Sequence, residues 1–268
     1  MQPPLISLAH LTILDADPIT LIEAAAAAGF DAIGLRIVPP LPSDTIFPVL
    51  GDLSLQRQIK SRMRDTGVDI LDVEAIWLTP GTDVAALLPA LDLGADLGAS
   101  HLLTVGHDPD WSRLCDNFAA LCGAAYARSL RVMLEFIPYA ECASLRQAHR
   151  LLSATSPASA GLLVDALHLS RANASPADIK GYDPALFSYL HLCDAPETRP
   201  AAAGLRNEAR GGRLYPGEGG LWLKDFLAAF PAATPVAIEA PNHALSHLSA
   251  KERARLAMTA TRRLLDAL

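Results

Sequence analysis

The chain has 268 residues, 51% of them hydrophobic, with 22 Lys and Arg against 29 Asp and Glu and a formal net charge of −7. That size and apolar content can bury a large core as one domain, and a negative charge with no dense basic cluster argues against a nucleic-acid partner. No apolar run approaches a membrane span, Met1-Gln2-Pro3-Pro4 lacks a basic lead, and Cys115, Cys122, Cys142 and Cys193 show no Cys-x-x-Cys spacing, so the expectation is an unprocessed, soluble, cytoplasmic protein with reduced thiols.

Apolar strand-like runs alternate with amphipathic, alanine-rich stretches along the whole chain, the pattern of repeated βα units around a parallel sheet. The first strand is read at Leu5 to Leu14. Asp17-Pro18 then opens a helix over Ile19 to Ala28 that stops at Gly29. Phe30 to Val38 is the second strand, followed by a loop through Pro39, Pro40 and Pro42, a helix Leu53 to Thr66 and a third strand Val68 to Leu78. Next come a helix Val84 to Leu97, a strand Ala99 to Gly106, and a helix Asp110 to Ser129 capped by Asp108 or Asp110. Strand five, Leu130 to Pro138, precedes a helix near Ser144 to Ser153; strand six lies within Gly161 to Ser170, and Ser175-Pro176 caps a short helix. Strand seven, Tyr189 to Pro196, leads into the longest irregular segment, 195 to 220, read as a lid or substrate-binding loop with a disordered insertion as the alternative. A helix Leu221 to Phe230, strand eight at Pro235 to Pro241 and a last helix Ala250 to Leu268 bring the count to eight of each. The fold class expected is a single (β/α)8 barrel over residues 1 to 268.

Four of these strands end in groups that an apolar strand has no reason to carry. Glu135 closes strand five, Asp165 strand six, His191 lies in strand seven with Asp194 beyond it, and Glu239 closes strand eight. In a closed parallel barrel the C-terminal strand ends converge on one mouth, so Glu135, Asp165, His191 and Glu239 are aimed at one point. Three carboxylates gathered there repel one another, and the four lysines, Lys60, Lys180, Lys224 and Lys251, all fall on predicted helices. A divalent cation is the simplest remedy for buried unpaired carboxylates. Oxygen-dominated ligation with one nitrogen fits Mn²⁺ foremost and accommodates Mg²⁺, Co²⁺ or Zn²⁺. Taken singly, each residue has a duller explanation: a salt bridge for a glutamate, a satisfied core position for a histidine, an Asx turn for Asp194.

The set formed by Glu135 in Val-Met-Leu-Glu-Phe, Asp165-Ala-Leu-His168, His191-Leu-Cys-Asp194, Arg213-Leu-Tyr-Pro-Gly-Glu-Gly-Gly and Glu239 in Val-Ala-Ile-Glu resembles the xylose-isomerase-like TIM-barrel superfamily of sugar (phosphate) isomerases and epimerases. The likeness spans nearly the whole chain and is specific for fold and metal site but not for substrate. It implies that Glu135, Asp165, His191 and Glu239 hold one metal ion, that His168 is turned toward substrate, and that Arg213 contacts substrate oxygens. It further implies that Glu135 and Glu239 move protons through an enediolate, with His168 able to donate to the developing oxyanion, and leaves homo-oligomerisation open. The expected partner is a small polyhydroxylated molecule.

Further strand-end groups are candidates for shaping the pocket. Arg36 ends strand two and Glu74 strand three, either as substrate contacts or as an ion pair with each other; Trp77 packs or stacks on a ring; His107 and His10 are possible lining. Glu218 falls in Pro216-Gly217-Glu218-Gly219-Gly220, a structural turn first and a substrate contact second. Arg199, Arg206 and Arg210 in the long segment keep a dehydratase or lyase acting on a keto-polyol acid or keto-glycoside in play. A non-catalytic sugar-binding barrel is the reading from another class. An abasic-site endonuclease is disfavoured, because the Asp-x-His pair after strand seven is missing and Arg36 and Glu74 stand where histidines would.

Overall fold

A computed structural model of the chain describes residues 4 to 41, 43 to 157 and 159 to 268; Pro42 of the proline loop and the N-terminal Met1 to Pro3 lie outside the described residues. Eight parallel strands close into a barrel in sequence order, β1 (Ile6–Leu8), β2 (Ala32–Arg36), β3 (Asp69–Leu78), β4 (His101–Gly106), β5 (Arg131–Glu135), β6 (Ala160–Asp165), β7 (Leu190–Leu192) and β8 (Val236–Ile238), with β8 paired back onto β1. This is the (β/α)8 barrel expected from the alternation of apolar runs.

The helices between strands are α1 (Pro18–Ala28), α2 (Leu53–Thr66), α3 (Val84–Asp96), α4 (Trp111–Tyr126), α5 (Leu145–Thr155), α6 (Ala166–Arg171), α7 (Pro176–Ile179), α8 (Leu205–Gly211), α9 (Leu223–Ala228) and α10 (Ala250–Leu265). Their starts follow local chemistry. Asp17 accepts from the backbone N–H groups of Ile19 and Thr20, Ser249 and Glu252 form a capping box on α10, and Asp110 accepts from Arg113 N–H at α4; each such cap contributes about 1 kcal/mol. Asp108, the other candidate cap, instead holds Arg113 through two charge-assisted bonds of 2.6 and 2.7 Å.

Two apolar layers hold the barrel. One lies between strands and helices, and the other fills the interior with Ala32, Leu103, Met133, Leu163, Tyr189 and Ala237, the packed centre that makes such a barrel a core and not a pore.

Three expectations are corrected. The first strand ends at Leu8, and His10–Ile13 is a single 3₁₀ turn; Thr12 donates to Ile238 O at 2.7 Å and accepts from Ala240 N–H, so the apolar run folds over the barrel rim. Ten helices are present among the described residues, not eight, because α6 follows β6 directly and α8 lies inside the segment 195 to 220. That segment is therefore a helix-bearing excursion and not a plain loop. Arg171 of α6 anchors it, gripping Glu208 of α8 at 2.7 and 2.9 Å and Pro196 O at 2.7 Å. Asp194 anchors its end by accepting from Gly217 and Leu221 N–H, and a side chain at Gly219 would collide with Asp194 and the Ala195 carbonyl.

Candidate metal centre and active site

Strand register brings the four chemical residues together. Asp165 of β6 pairs with His191 of β7, Glu135 of β5 lies level with Leu163 two residues below Asp165, and Glu239 follows β8 directly. One ligand atom from each of Glu135, Asp165, His191 and Glu239 lies within 4.8 Å of the others, and all four side chains are buried. His191 Nδ1 faces Glu135 Oε1 and Glu239 Oε2 at 3.5 Å and Asp165 Oδ2 at 3.9 Å. These separations are too long for good hydrogen bonds.

The donor set fits a divalent ion. Glu135 Oε1 and both nitrogens of His191 have no hydrogen-bond partner among the described residues although they are fully buried; orphans of that kind call for a counterpart. Oxygen donors with one imidazole accept several divalent metals, so the donors alone do not select one.

The electrostatics show how the cluster is held. Arg213, 1% exposed, donates from Nη1 to Asp165 Oδ2 at 2.5 Å and to Glu239 O at 3.0 Å, from Nη2 to Glu239 Oε2 at 2.9 Å, and from Nε to Ala209 O at 2.8 Å. Burial alone would raise the Asp165 and Glu239 carboxyls, yet Arg213 for the first and His191 with Arg213 for the second outweigh it and hold both below the usual carboxylate range. Glu135 lacks that partner, and burial pushes it up to about 7. Burial works to lower His191, but Glu239 and Glu135 raise it well above the ordinary histidine value: in this arrangement a proton supplies positive charge that a cation would replace.

Around the cluster lies a chamber lined by Arg36, Glu74, Trp77, Glu135, Tyr139, His168, Arg210, Arg213 and Glu239, among others. His168 sits at the start of α6, where its N–H donates to Asp165 Oδ1 at 2.9 Å; burial pushes its imidazole down to about 4, so it is neutral at pH 7. Arg36 and Glu74 form the ion pair named as one of two readings, at 3.4 Å across adjacent strands, and both line the chamber. A side chain at Gly34 would fall 2.6 Å from Glu74 Oε1 and 2.9 Å from Asp72 Oδ1, so glycine makes room for these carboxylates.

Other placements differ from the sequence reading. Arg213 lines the chamber, but its donors are taken by Asp165, Glu239 and backbone carbonyls, which makes it a brace for two ligands before it is a substrate contact. Glu218 is exposed and accepts from Tyr215 N–H at 3.3 Å; it is the turn residue of the first reading and lies outside the chamber lining that the second reading, a substrate contact, would need. His107 lies outside the chamber lining and packs edge-on against Trp77 at 5.1 Å. His10 is a core residue: Arg36 N–H meets its Nδ1 at 3.2 Å, and its Nε2 meets Ala16 O at 3.0 Å.

Sequence reasoning missed Tyr139, four residues past Glu135 on the same strand exit, whose ring packs against His168 at 5.9 Å. It also missed Asp72, one inward position below Glu74. Asp72 accepts from Tyr189 OH at 3.1 Å, and burial, then the neighbouring Glu74 charge, pushes it up to about 8. The signal for Asp72 was available: a position two residues from an inward-facing acid shares its side of the strand.

Residues 22 to 264 match the family model described as xylose isomerase-like TIM barrel. No curated protein matches the sequence. Among solved structures, an IolI protein with a bound zinc atom superposes with TM-score 0.80 at 18% identity over 98% of each chain. A probable 3-DHS dehydratase AsbF involved in petrobactin synthesis, from Bacillus anthracis, gives 0.76 at 13% over 96% of this chain and 98% of that one. A D-allulose 3-epimerase from Methylomonas sp. in complex with D-allulose gives 0.70 at 16% over 98% of each. Against a xylose isomerase-like TIM barrel/4-hydroxyphenylpyruvate dioxygenase fusion protein, at TM-score 0.80 and 20% identity, 99% of the chain matches but it spans only 44% of the fusion's length. These identities speak to fold alone, whereas the family model spans nearly all of the sequence, and the chain belongs to the xylose isomerase-like TIM barrel family.

Proposed function

We propose that the protein is a divalent-metal-dependent isomerase or epimerase that moves a proton beside the carbonyl of a polyhydroxylated ketone through an enediolate. The observation that carries this reading is the convergence of Glu135, Asp165, His191 and Glu239, with ligand atoms within 4.8 Å, at the C-terminal mouth of the barrel. A cation held there, Mn²⁺ foremost, would act as a Lewis acid on the substrate's oxygens and acidify the neighbouring C–H. The IolI neighbour with its zinc atom supports a divalent ion at the cluster without favouring manganese, and the epimerase neighbour with its allulose supports the substrate class.

The remaining roles belong to the chain's own residues. Glu135 and Glu239 reach the centre from strands three places apart around the ring, so they address a bound substrate from different sides. One removes the proton and the other returns it, to the same carbon in an epimerase or to its neighbour in an isomerase. His168, neutral at pH 7, donates a hydrogen bond to the oxyanion that develops. Arg213 keeps Asp165 and Glu239 ionised and aimed. Trp77, Leu103 and Ile137 form the apolar part of the wall that excludes water. With four free cysteines, the working compartment in this reading is a reducing cytoplasm.

The AsbF neighbour favours a second reading, a dehydratase that begins with the same C–H abstraction and then expels a β-hydroxyl. Incubation of metal-loaded protein with candidate ketoses in deuterated water separates the two. Deuterium in recovered or isomerised sugar supports proton transfer alone; loss of water points to the dehydratase. Glu135→Gln and Glu239→Gln are expected to lower turnover by about 10²-fold or more with unchanged circular dichroism, and full activity in either variant would remove that residue from the mechanism.

A further inference from the structure

The chamber around the ligand cluster is small, about 30 Å³, room for roughly one or two waters. Beside it lies a cavity of about 700 Å³ formed by the β1 exit, the chain before α2 and the chain after β8. Leu11 and Arg210 line both spaces and so form the partition between them. A polyol engaged at the cluster does not fit the inner chamber alone, and its far end has to pass that partition.

Cationic donors stand on this path. Arg36 is 5% exposed, its only hydrogen bond to an acid is the 3.4 Å contact from Nε to Glu74, and its Nη1 has no partner among the described residues although it is buried against the chamber. A buried guanidinium nitrogen without an acceptor is costly, and the planar fork is the natural complement of an oxyanion. Arg210, on α8, donates to Asp44 at 2.9 Å and keeps its side chain 31% exposed, so it has nitrogens to spare at the partition. The acidic groups at the outer cavity are engaged, Asp44 by Arg210 and Asp15 by Arg253 at 2.7 and 2.8 Å, while Glu74, Glu135 and Glu239 line the inner chamber.

We infer that the substrate is anionic: a hydroxylated molecule whose carboxylate or phosphate oxygens are bound between Arg36 of the inner chamber and Arg210 of the partition, with its hydroxylated end at the ligand cluster. The inference rests on the proposed reaction only for where the hydroxylated end lies; the anion site stands on the two arginines. Arg210 thereby becomes a specificity-determining residue, and its bond to Asp44 holds it in place until an anion competes for it.

The test is calorimetric binding to chelator-treated protein of matched pairs: erythronate against erythritol and gluconate against glucitol for a carboxylate, glucitol 6-phosphate against glucitol for a phosphate. At least one anion is expected to bind tenfold or more tightly than its neutral counterpart, and the pair that shows it identifies the oxyanion. Arg210→Gln is expected to reduce that preference about tenfold with unchanged circular dichroism, and Asp44→Asn to preserve or increase it. Equal binding of every pair, no binding of any anion, or a preference that survives Arg210→Gln overturns the inference. Because no metal is present in this assay, its outcome is separate from the deuterium experiment, which alone judges proton transfer.

Discussion

At the scale of single residues, Arg213 explains how three carboxylates share one buried site. The family resemblance implies a contact with substrate oxygens, and the charge balance of the sequence weighs only the lysines, all on predicted helices. In the fold Arg213 pairs with Asp165 and Glu239, and Glu135 is the one of the three carboxylates that faces His191 and not Arg213. Removing one member of a buried ion pair leaves the other uncompensated, at a cost of about 3 to 5 kcal/mol. Arg213→Met is therefore expected to lower the free energy of unfolding by about that amount in urea titration, and a change under about 1 kcal/mol would show that the brace is unimportant. Glu135, Asp165, His191 and Glu239 were legible because a charged group ending an apolar strand is conspicuous. Tyr139 was not, because a tyrosine past a strand end is unremarkable until its ring is seen against His168.

Among the elements, α8 is, with α6, one of two helices the sequence did not declare. Leu205–Gly211 is short, carries glycine at its end, and sits between Pro, Gly and Arg residues that read as loop. An isolated helix of that length is unstable in water, so its order depends on the bidentate grip of Arg171 on Glu208 and on the buried Leu205 and Ala209. Arg171→Met is expected to speed amide exchange across α8 by about tenfold or more while the exchange of β4 and β5 stays unchanged. Uniform acceleration, or none, would show that α8 is held in some other way. The longer helices were predicted within a few residues, because caps such as Asp17 and Ser249 and stops such as Gly29 and Gly67 act locally.

For the molecule as a whole, the ligand cluster draws on four strands from β5 to β8, so an ion bound there ties half of the ring together. Binding to the native state alone stabilises it by about 2.7 kcal/mol when the free ion is at a hundred times its dissociation constant. Added Mn²⁺ is expected to raise the unfolding temperature by several degrees, and a chelator to reverse the gain; an unchanged midpoint in wild type, or an equal rise in Glu239→Gln, would speak against ion binding at this cluster. The sequence by itself determined the barrel and the points where its chemistry collects, since apolar runs of strand length, local caps and strand-end acids are written in short stretches of chain. Only the tertiary structure decided that Arg213 pairs with Asp165 and Glu239, that Glu218 faces water, and that Arg36 lines the inner chamber whose partition carries Arg210. Those outcomes depend on which residues far apart in sequence occupy the same volume, and one-dimensional spacing carries no measure of that.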